Sequence, residues 1–451
     1  MSIATQDPCT GEITARFPTW ISAQIHERIT RAAARFAQSR VVPLAQRCQW
    51  LTQTATILRQ EKQHWGRQIT QEMGKTLKSA VAEVEKSAWV CEYYAAAAPQ
   101  LLADVPVTEH SRVRYAPLGV VLAVMPWNFP FWQVFRFAAP ALVAGNTALL
   151  KHASNVPLSA LAIEDILLRA GWPEDTFQTL LITGSQVAEV IGDPRVKAAS
   201  LTGSEPAGIS LATHAAQHLK PVVLELGGSD PFIVMPSADL DQAISTAVAA
   251  RLISNGQSCI AAKRFIIHEA VYPAFVQGMV QQMQRLRVGD PLLPETDVGP
   301  LATASIRAEL HHQVQRAQAA GATIQTGGEL PPGDGYFYPP TVITGLDPTN
   351  ALAQEEFFGP VALVFAVNSL AQAIALANAT PFGLGASAWT RDPDEQQQLL
   401  DGIEAGSVVI NAMMQSDPRL PFGGIKRSGF GRELGSHGLY ELVNIQTLSV
   451  Y

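Results

Sequence analysis

Short apolar runs alternate with helical patterns through most of the chain. In the first half, strands are predicted at Gly119–Met125, Thr147–Lys151, Thr179–Ile182, Ala198–Leu201 and Val222–Leu226, with helices at Phe131–Ala144 and Leu158–Ala170. Further strands are predicted at Pro231–Val234, Phe265–Ile267, Val361–Val367, Gly385–Trp389 and Ser407–Ile410. This alternation predicts an α/β fold with parallel sheets covered by helices on both faces. Ligands of such sheets bind at the carboxyl ends of the strands.

The same pattern predicts the domain organisation. Residues 1–97, mostly helical before Ala95, and residues 118–228 are expected to form one α/β domain, and residues 229–427 a second. The remaining segments, 98–117 and 428–451, contain strand-like patterns near Val105–Arg114 and from Phe430 to Tyr451. They are expected to form a peripheral β-element that acts as an oligomerisation arm, which favours a homodimer or a dimer of dimers.

The uncharged stretch from Pro117 to Phe135 is about long enough for a membrane-spanning helix. However, it contains Pro126 and Pro130, with Asn128 between them. Because a spanning helix must satisfy its backbone polar groups internally, this composition argues against one. The stretch is instead predicted to form a buried parallel strand followed by a loop and a helix.

Composition narrows the function further. The 451 residues are 47% hydrophobic and 16% charged, with a net charge of −7, which predicts a large core and disfavours nucleic acid as a partner. The four cysteines (Cys9, Cys48, Cys91 and Cys259) form no C-x-x-C pair. No secretory signal is evident in residues 1–16, so a reducing, cytoplasmic location is expected.

Cys259 is the first candidate for chemistry. A single cysteine is often a small buried apolar residue. Here Gly256-Gln257-Ser258 precede it, which is typical of a loop or a helix start, where backbone N–H groups favour a thiolate. A thiolate attacks carbonyl carbons readily, so the context also permits covalent catalysis.

Two polar residues follow predicted strands. Glu225 ends an apolar strand just before Gly227-Gly228; it either pairs with a local cation or acts as a desolvated base that activates water. Asn128 precedes a predicted helix and is either its N-cap or a donor to a developing oxyanion. Both alternatives stay open on the sequence pattern alone.

Two weaker patterns add little by themselves. Gly203 to Gly208 follows a strand and opens a helix, as phosphate-binding loops do, but it lacks the G-x-G-x-x-G spacing. His214 and His218 lie four residues apart on a predicted helix, but no third metal ligand is evident. No metal is therefore expected.

Taken together, these residues resemble the aldehyde dehydrogenase superfamily. The matching motifs occur in the order of the family and extend over nearly the whole chain: Asp7-Pro8-Cys9-Thr10-Gly11-Glu12, Pro126-Trp127-Asn128-Phe129-Pro130, Leu150-Lys151, Gly203-Ser204, Glu225-Leu226-Gly227-Gly228, Gly256-Gln257-Ser258-Cys259, Glu356-Phe357-Phe358-Gly359-Pro360 and Pro421-Phe422-Gly423-Gly424. The resemblance implies a Rossmann-type cofactor domain, an α/β catalytic domain and a small β oligomerisation arm.

The resemblance implies a role for each of the three candidate residues. Cys259 would attack the aldehyde carbon, while the Asn128 side chain and the Cys259 backbone N–H hold the oxyanion. Hydride transfer to a nicotinamide would leave a thioester, which Glu225 would hydrolyse by activating water. A free cysteine has a pKa of about 8.5, so the site must favour the thiolate or use a base.

The resemblance also implies a cofactor site. Lys151 is expected to contact the adenosine ribose, and Glu356 with Phe358 the nicotinamide ribose. The remaining positions along the cleft are Met125, Pro126, Trp127, Gly203, Ser204 and Leu226. Members that prefer NAD commonly carry a Glu three residues after the lysine, where Ser154 stands here. A serine removes the repulsion of a 2′-phosphate, so NADP is expected, with NAD possible but weaker.

For the substrate, the resemblance is strongest to the succinate-semialdehyde branch. Arg136 follows Asn128 by eight residues, where that branch carries an arginine for the substrate carboxylate, and Ser416 matches a second binding residue. A structural ion pair is the alternative role of Arg136. Some members have a second arginine where Ile253 stands, and others a second cysteine where Ala261 stands. No redox disulfide of Cys259 is therefore expected.

Two other activities can be compared with this one. An acylating relative that passes the thioester to coenzyme A does without the Glu, and a non-catalytic relative could lose Cys259, Glu225 or Asn128. All three residues are present, which favours a hydrolytic dehydrogenase. Which short semialdehyde or aliphatic aldehyde is oxidised stays open, with succinate semialdehyde expected.

Overall fold

The computed structural model describes residues 2–451 as a mixed α/β structure. The amino-terminal part contains β1 (Ser2–Gln6), β2 (Ile13–Pro18), α1 (Ser22–Ser39), α2 (Leu44–Gln60), α3 (Lys62–Met73), α4 (Leu77–Leu101), β3 (Val105–Pro106) and β4 (Ser111–Pro117). The next part contains β5 (Val120–Met125), α5 (Trp132–Ala144), β6 (Thr147–His152), α6 (Pro157–Arg169), β7 (Phe177–Thr179), α7 (Val187–Gly192), β8 (Val196–Thr202), α8 (Glu205–Gln217) and β9 (Val222–Glu225).

A second run of strands and helices completes the chain. It contains β10 (Pro231–Val234), α9 (Leu240–Arg251), β11 (Arg264–His268), α10 (Tyr272–Gln284), α11 (Ala304–Ala319), β12 (Thr323–Thr326), β13 (Thr341–Thr344), β14 (Val361–Val367), α12 (Leu370–Asn378), β15 (Gly385–Trp389), α13 (Pro393–Gly402), β16 (Ser407–Ile410), β17 (Gly429–Phe430), α14 (Gly435–Tyr440) and β18 (Val443–Ser449).

Two largely parallel sheets dominate, which confirms the predicted fold class. The first has the order β17-β9-β8-β5-β6-β7, in which only β17 is antiparallel to its neighbour. The second has the order β12-β13-β14-β11-β10-β15-β16, in which only β12 is antiparallel. Nearly every strand of the first sheet lies within 118–228 and every strand of the second within 229–427. The domain boundaries themselves stay a prediction.

The register of the first sheet brings three strand ends together. Thr202 pairs with Glu225 across β8 and β9, and Val124 of β5 pairs with both Lys151 of β6 and Leu201 of β8. Because parallel strands end at one edge of a sheet, the loops that follow β5, β8 and β9 meet there. The residues carried by these loops include most of the candidate site.

Helix α5 is buried on all sides. All of its residues from Trp132 to Ala144 are buried, because it packs against β5 and β6 on one side and α4 on the other. A helix that is apolar all round is a core helix in a large protein. This burial explains the uncharged stretch in the sequence, and no helix within residues 2–451 has the length and apolarity to cross a membrane.

One predicted strand is displaced. The strand expected at Thr179–Ile182 is β7, which ends at Thr179. Leu180 and Ile182 are buried beneath α1 in the same apolar cluster as Ile25. Leu180 still donates its backbone N–H to Leu150 of β6 at 2.7 Å, so the chain leaves the sheet just after the end of β7.

Five other elements of the structure were not predicted from the sequence. The β1–β2 hairpin precedes the helical segment, and β12 and β13 extend the second sheet. The carboxy-terminal segment expected to be β contains the helix α14 before β18. Strands β2 and β12 are half-exposed, so they lack the continuous apolar runs by which the other strands are recognised.

The peripheral β-element does form. β18 pairs along its whole length with β4, from Val443 opposite Pro117 to Ser449 opposite Ser111, and β3 completes the sheet. Ile445 and Val105 are exposed on this sheet.

Candidate active site

Cys259 lies where two cavities meet. The larger, about 550 Å³, is lined by Cys259 together with Asn128, Gly203, Glu356 and Phe358. The smaller, about 260 Å³, is lined by Cys259 on the side of α4 and α5. Both cavities also share Gln133. A nucleophile at this junction can contact one ligand from each side.

The backbone around Cys259 is held by buried cations. Lys263 is fully buried, and its ammonium donates to the carbonyl oxygens of Ser258 at 2.8 Å and Cys259 at 2.7 Å. Arg251 donates to the carbonyl oxygen of Gly256 at 2.6 Å. These bonds fix the loop between α9 and β11, so the position of the sulfur is set by the fold.

Gly256 is required by the same loop. Its φ is +80°, and a Cβ placed there would lie 2.3 Å from the backbone carbon of Gly359. Only glycine combines that backbone conformation with such a close approach. The loop that carries Cys259 is therefore packed directly against the loop that carries Glu356 and Phe358.

The thiol of Cys259 is not acidic in this setting. Burial raises its pKa to about 11, while the positive charges of Lys263 and Arg136 act in the opposite direction. The sequence pattern suggested a site that favours the thiolate. Here desolvation outweighs the nearby cations, so activation needs removal of the proton by a base.

Asn128 faces the Cys259 loop. Its Nδ2 donates to the carbonyl oxygen of Gln257 at 2.9 Å, and its Oδ1 has no hydrogen-bond partner within residues 2–451. The residue that caps α5 is Phe131, so the N-cap interpretation of Asn128 is wrong. Asn128 and Cys259 line the same larger cavity.

Glu225 ends β9 as a buried, unpaired carboxyl group. It is 2% exposed, and neither carboxyl oxygen accepts a hydrogen bond from residues 2–451. Burial raises its pKa well above the usual range; Arg136 opposes this shift and the neighbouring Glu433 adds to it. No cation of the described chain pairs with Glu225 directly, and Glu225 lines neither of the two cavities that meet at Cys259. The structure therefore does not bring its carboxyl group into contact with the thiol.

Arg136 forms the structural ion pair that the sequence left open, and it also lines the smaller cavity; its role in binding the substrate stays a prediction. Its guanidinium forms a buried ion pair with Glu433 and donates to Thr202 Oγ1 at 3.0 Å. It also lies over the ring of Phe422, 4.8 Å from the ring centroid, and lines the smaller cavity. Its charge is thus largely balanced by Glu433 before any ligand binds.

Ser416 lines the same small cavity, as the sequence pattern suggested. The cavity also contains groups that sequence reasoning missed, most of them apolar or cationic: Lys86, Phe129, Trp132, Ile260, Met413, Met414 and Phe422. Lys86 is the notable one, because it adds a second positive charge. The signal for it in the sequence was a lysine within the largely apolar helix α4.

Seven of the proposed cofactor residues line the larger cavity. These are Pro126, Trp127, Gly203, Ser204, Leu226, Glu356 and Phe358. Trp127 and Phe358 meet edge to face with ring centroids 5.8 Å apart. The structure does not bring Met125, Lys151 and Ser154 to this lining: Met125 is buried, and the other two lie at and beyond the end of β6.

The larger cavity suits a nicotinamide dinucleotide. The amino terminus of α8 opens onto it at Ser204, whose side chain caps no backbone N–H, so the first turn is free to bind a phosphate. Gly203 lines the cavity without a side chain, and a Cβ added there would lie in ordinary contact with Leu201, 3.6 Å away. Lys151 forms no ion pair within residues 2–451, so its charge is available at the same edge. Within those residues no cluster of metal ligands occurs.

Glu356 was expected to contact the nicotinamide ribose, but in the structure its carboxylate is bound by other residues of the protein. It contacts Lys263 at 3.1 Å and accepts a hydrogen bond from the backbone of Gly228 at 3.1 Å. It therefore links the Cys259 loop to the turn after Glu225. Other cavity residues not foreseen from the sequence are Thr202, Ile306, Glu309, Leu310, Gln313, Gln354, Glu355, Pro381 and Phe382.

Comparisons with known proteins agree with this geometry. The model of the aldehyde dehydrogenase family matches residues 1–448. A probable succinate-semialdehyde dehydrogenase (NADP+) from Synechocystis sp. is 55% identical over 451 residues, with 99% of each chain covered. The succinate-semialdehyde dehydrogenase (NADP+) of Mycobacterium leprae is 55% identical over 454 residues, again with 99% of each covered.

A solved structure leads to the same family. The succinic semialdehyde dehydrogenase from Streptococcus pyogenes, crystallised in complex with NADP+ as the cofactor, matches with a TM-score of 0.96 at 36% identity, and the match covers 99% of each chain. The motifs, the two cavities that meet at Cys259 and these full-length matches agree, and the chain belongs to the aldehyde dehydrogenase family.

Proposed function

We propose that this enzyme oxidises succinate semialdehyde to succinate with NADP as the hydride acceptor. The observation that carries the proposal is the position of Cys259 between a cavity suited to a dinucleotide and a small cavity with cationic side chains. The relatives at 55% identity that are named as succinate-semialdehyde dehydrogenases support the choice of substrate and cofactor.

The first step is attack by the sulfur of Cys259 on the aldehyde carbon, which forms a thiohemiacetal. Because burial raises the pKa of the thiol, its proton must pass to a water molecule in the cavity before the carbon–sulfur bond forms. The amide of Asn128 and the backbone N–H of Cys259 donate to the oxygen of the adduct. Removing one donor of this kind typically costs about 10²–10³ in rate.

NADP, when bound, supplies the hydride acceptor that turns the thiohemiacetal into a thioester. Pro126, Trp127, Gly203, Ser204, Leu226, Glu356 and Phe358 would hold it along the larger cavity. One carboxyl oxygen of Glu356 contacts Lys263 and Gly228, and the other would be the one offered to the nicotinamide ribose. Met125 would support the wall from behind, since it is buried.

Hydrolysis of the thioester is assigned to Glu225. Its carboxyl group is buried and its pKa is raised, so it can take a proton from water when it is ionised. Water attacks the thioester carbon, the carbon–sulfur bond breaks, and the sulfur of Cys259 is released with the carboxylic acid product. Because no cation within residues 2–451 pairs with it directly, the carboxylate stays basic.

The preference for NADP is attributed to Lys151 and Ser154. Both lie at the carboxyl end of β6, next to the end of β5, where the adenosine ribose of a dinucleotide would reach. Lys151 offers positive charge and Ser154 a hydroxyl donor, whereas an acidic residue at position 154 would repel a 2′-phosphate.

The substrate carboxylate would be bound in the smaller cavity. Arg136 and Ser416 line it, one with positive charge and the other with a hydroxyl group. The aromatic and methionine side chains around them favour the short methylene chain of the semialdehyde.

The test is NADPH formation with succinate semialdehyde, and with butanal as an uncharged aldehyde of the same chain length. We expect a kcat/KM that strongly favours the semialdehyde, and NADP over NAD as cofactor. Cys259→Ala serves as the inactive control. Equal kcat/KM values for the two aldehydes would refute the assigned substrate while leaving the family unaffected.

We further propose a homodimer, or a dimer of dimers, that operates in the cytoplasm. The apolar side chains of Ile445 and Val105 are exposed on the sheet formed by β3, β4 and β18, as on a surface that a second copy covers. All four cysteines are free thiols, as is usual in a reducing compartment. Sedimentation of the purified protein tests the oligomer directly.

A further inference from the structure

Lys86 places a half-buried ammonium group at the small cavity beside Cys259. It projects from the middle of α4 and lies 4.5 Å from the centroid of the Trp132 ring. Its Nζ donates to Ser416 Oγ at 2.8 Å. Lys86, Ser416, Arg136 and Cys259 all line this one cavity.

The ammonium of Lys86 has no carboxylate partner within residues 2–451. The nearby carboxylates are engaged elsewhere. Glu83, which lines the cavity, pairs with Lys75 at 2.5 Å and accepts the backbone N–H groups of Phe131 and Trp132. Asp417 pairs with Arg419 at 2.5 Å. A partly buried charge without a counter-ion is costly unless a ligand provides one.

Arg136, by contrast, already has its counter-ion. Its ion pair with Glu433 is buried, and Thr202 accepts another of its hydrogen bonds. The positive charge in this cavity that remains to be neutralised is therefore that of Lys86. The hydroxyl group of Ser416 accepts from Lys86, which leaves its own proton to donate to a second acceptor beside the ammonium.

We propose that Lys86, together with Ser416, holds the far carboxylate of the substrate and makes the enzyme selective for short aldehydes with a terminal acid group. Arg136 adds long-range attraction from behind. This inference rests on the proposed function, because it assumes a semialdehyde in the small cavity.

The titration of Lys86 should also make the selectivity between the two aldehydes depend on pH. Burial, and to a smaller extent the positive charge of Arg136, lowers the pKa of Lys86 to about 8 against the opposing influence of Asp417 and Glu83. A carboxylate binds the protonated form, so selectivity for the semialdehyde should be lost as the pH rises through this range. Titration of Cys259 or Glu225 affects both aldehydes alike and cancels in the ratio of their kcat/KM values.

The experiment compares native enzyme with Lys86→Met and Lys86→Arg, using succinate semialdehyde and butanal. Lys86→Met should raise the KM for the semialdehyde about tenfold or more, through the loss of one charge-assisted hydrogen bond, and should lower kcat/KM for butanal far less. Lys86→Arg should restore most of the binding. Lys78→Met, an exposed lysine of the same helix, is the matched control and should change neither substrate.

The results distinguish failure of the role of Lys86 from failure of the proposed function. Preference for the semialdehyde retained in Lys86→Met would overturn this inference alone. No preference in the native enzyme would overturn the proposed function and this inference with it. If Lys86→Met does not fold, the pH profile decides: the native ratio of semialdehyde to butanal kcat/KM must fall near pH 8, and in Lys86→Arg it must not. A ratio independent of pH in both would refute the role of Lys86.

Discussion

The buried pair of Arg136 and Glu433 links the stability of the enzyme to the acidity of Glu225. Arg136 is 2% exposed and Glu433 5%, and the pair lies beside the unpaired carboxyl group of Glu225. Glu433→Gln keeps the size of the side chain and removes its charge. The substitution therefore tests the electrostatics of the cluster with little change in packing.

The expected cost in stability is substantial. Breaking a buried ion pair by removing one partner typically costs about 3–5 kcal/mol, because the remaining charge is left uncompensated. Arg136 keeps its hydrogen bond to Thr202 and has Glu225 nearby as a second anion. We therefore expect the free energy of unfolding to fall by about 3 kcal/mol, the low end of that range.

The same substitution should make Glu225 more acidic. The charge of Glu433 raises the pKa of Glu225 and that of Arg136 lowers it. Removing Glu433 abolishes the first effect and frees Arg136 to strengthen the second, so both changes lower the pKa. Since a general base works when it is deprotonated, the acid limb of the pH profile for thioester hydrolysis should move to lower pH.

Two measurements on Glu433→Gln check the reasoning. Urea unfolding gives the free energy of unfolding. The rate of thioester hydrolysis is taken from the steady-state rate of NADPH formation after the first turnover, measured as a function of pH. Glu329→Gln, at an exposed loop position, is the control for removing one negative charge. A loss of stability below about 1 kcal/mol would mean that Arg136 does not depend on Glu433. An acid limb that moves to higher pH would contradict the proposed effect on Glu225.

Three further substitutions test separate steps. Glu225→Gln should form about one NADPH per active site and then stall, because the thioester persists; rapid mixing detects the burst, and continued turnover at the native rate would exclude Glu225 as the base. Ser154→Glu should reverse the ratio of kcat/KM for NADP and NAD, through repulsion between the new carboxylate and a 2′-phosphate; an unchanged ratio would place the preference elsewhere. Lys263→Met removes the larger positive influence on Cys259 and should raise the pKa of the thiol, so that alkylation by iodoacetamide requires higher pH; an unshifted alkylation profile would contradict this.

The strands that could be predicted from the sequence are the buried ones. Val361–Val367 and Gly385–Trp389 occur in the structure at the predicted bounds, because parallel strands covered on both faces form uninterrupted apolar runs. Ser407–Ile410 also occurs at its predicted bounds, although it is a half-buried edge strand. β12 alternates between exposed and half-buried positions at a sheet edge and gives no such run. Leu180 lies just past the end of β7, and residues of both α1 and the sheet bury its side chain, so the apolar run extends beyond the strand.

Some residues of the candidate site could be predicted from the sequence and others could not. Cys259, Asn128 and Glu225 could be located because each follows a recognisable element and belongs to a family motif. Lys86 and Glu433 could not, because their significance depends on which distant side chains pack against them. Lys86 contacts a serine 330 positions away in the chain, and Arg136 is paired with a residue in the segment just before α14. Such partners are fixed by tertiary packing and leave no local pattern.

The charges of the site are arranged so that substrate selection and activation of the nucleophile share the same cations. The positive charge of Arg136 lowers the pKa of Cys259 and also the pKa of Lys86. The charge of Arg136 is itself balanced by its ion pair with Glu433. A substrate carboxylate bound to Lys86 supplies the negative charge that this cluster lacks, and it does so without displacing Glu433 from Arg136. The thiol therefore keeps the stabilising field of Arg136 while the substrate is bound. If Arg136 alone held the carboxylate, binding would cancel part of the field that helps to form the thiolate. Division of the two tasks between Lys86 and Arg136 avoids that conflict.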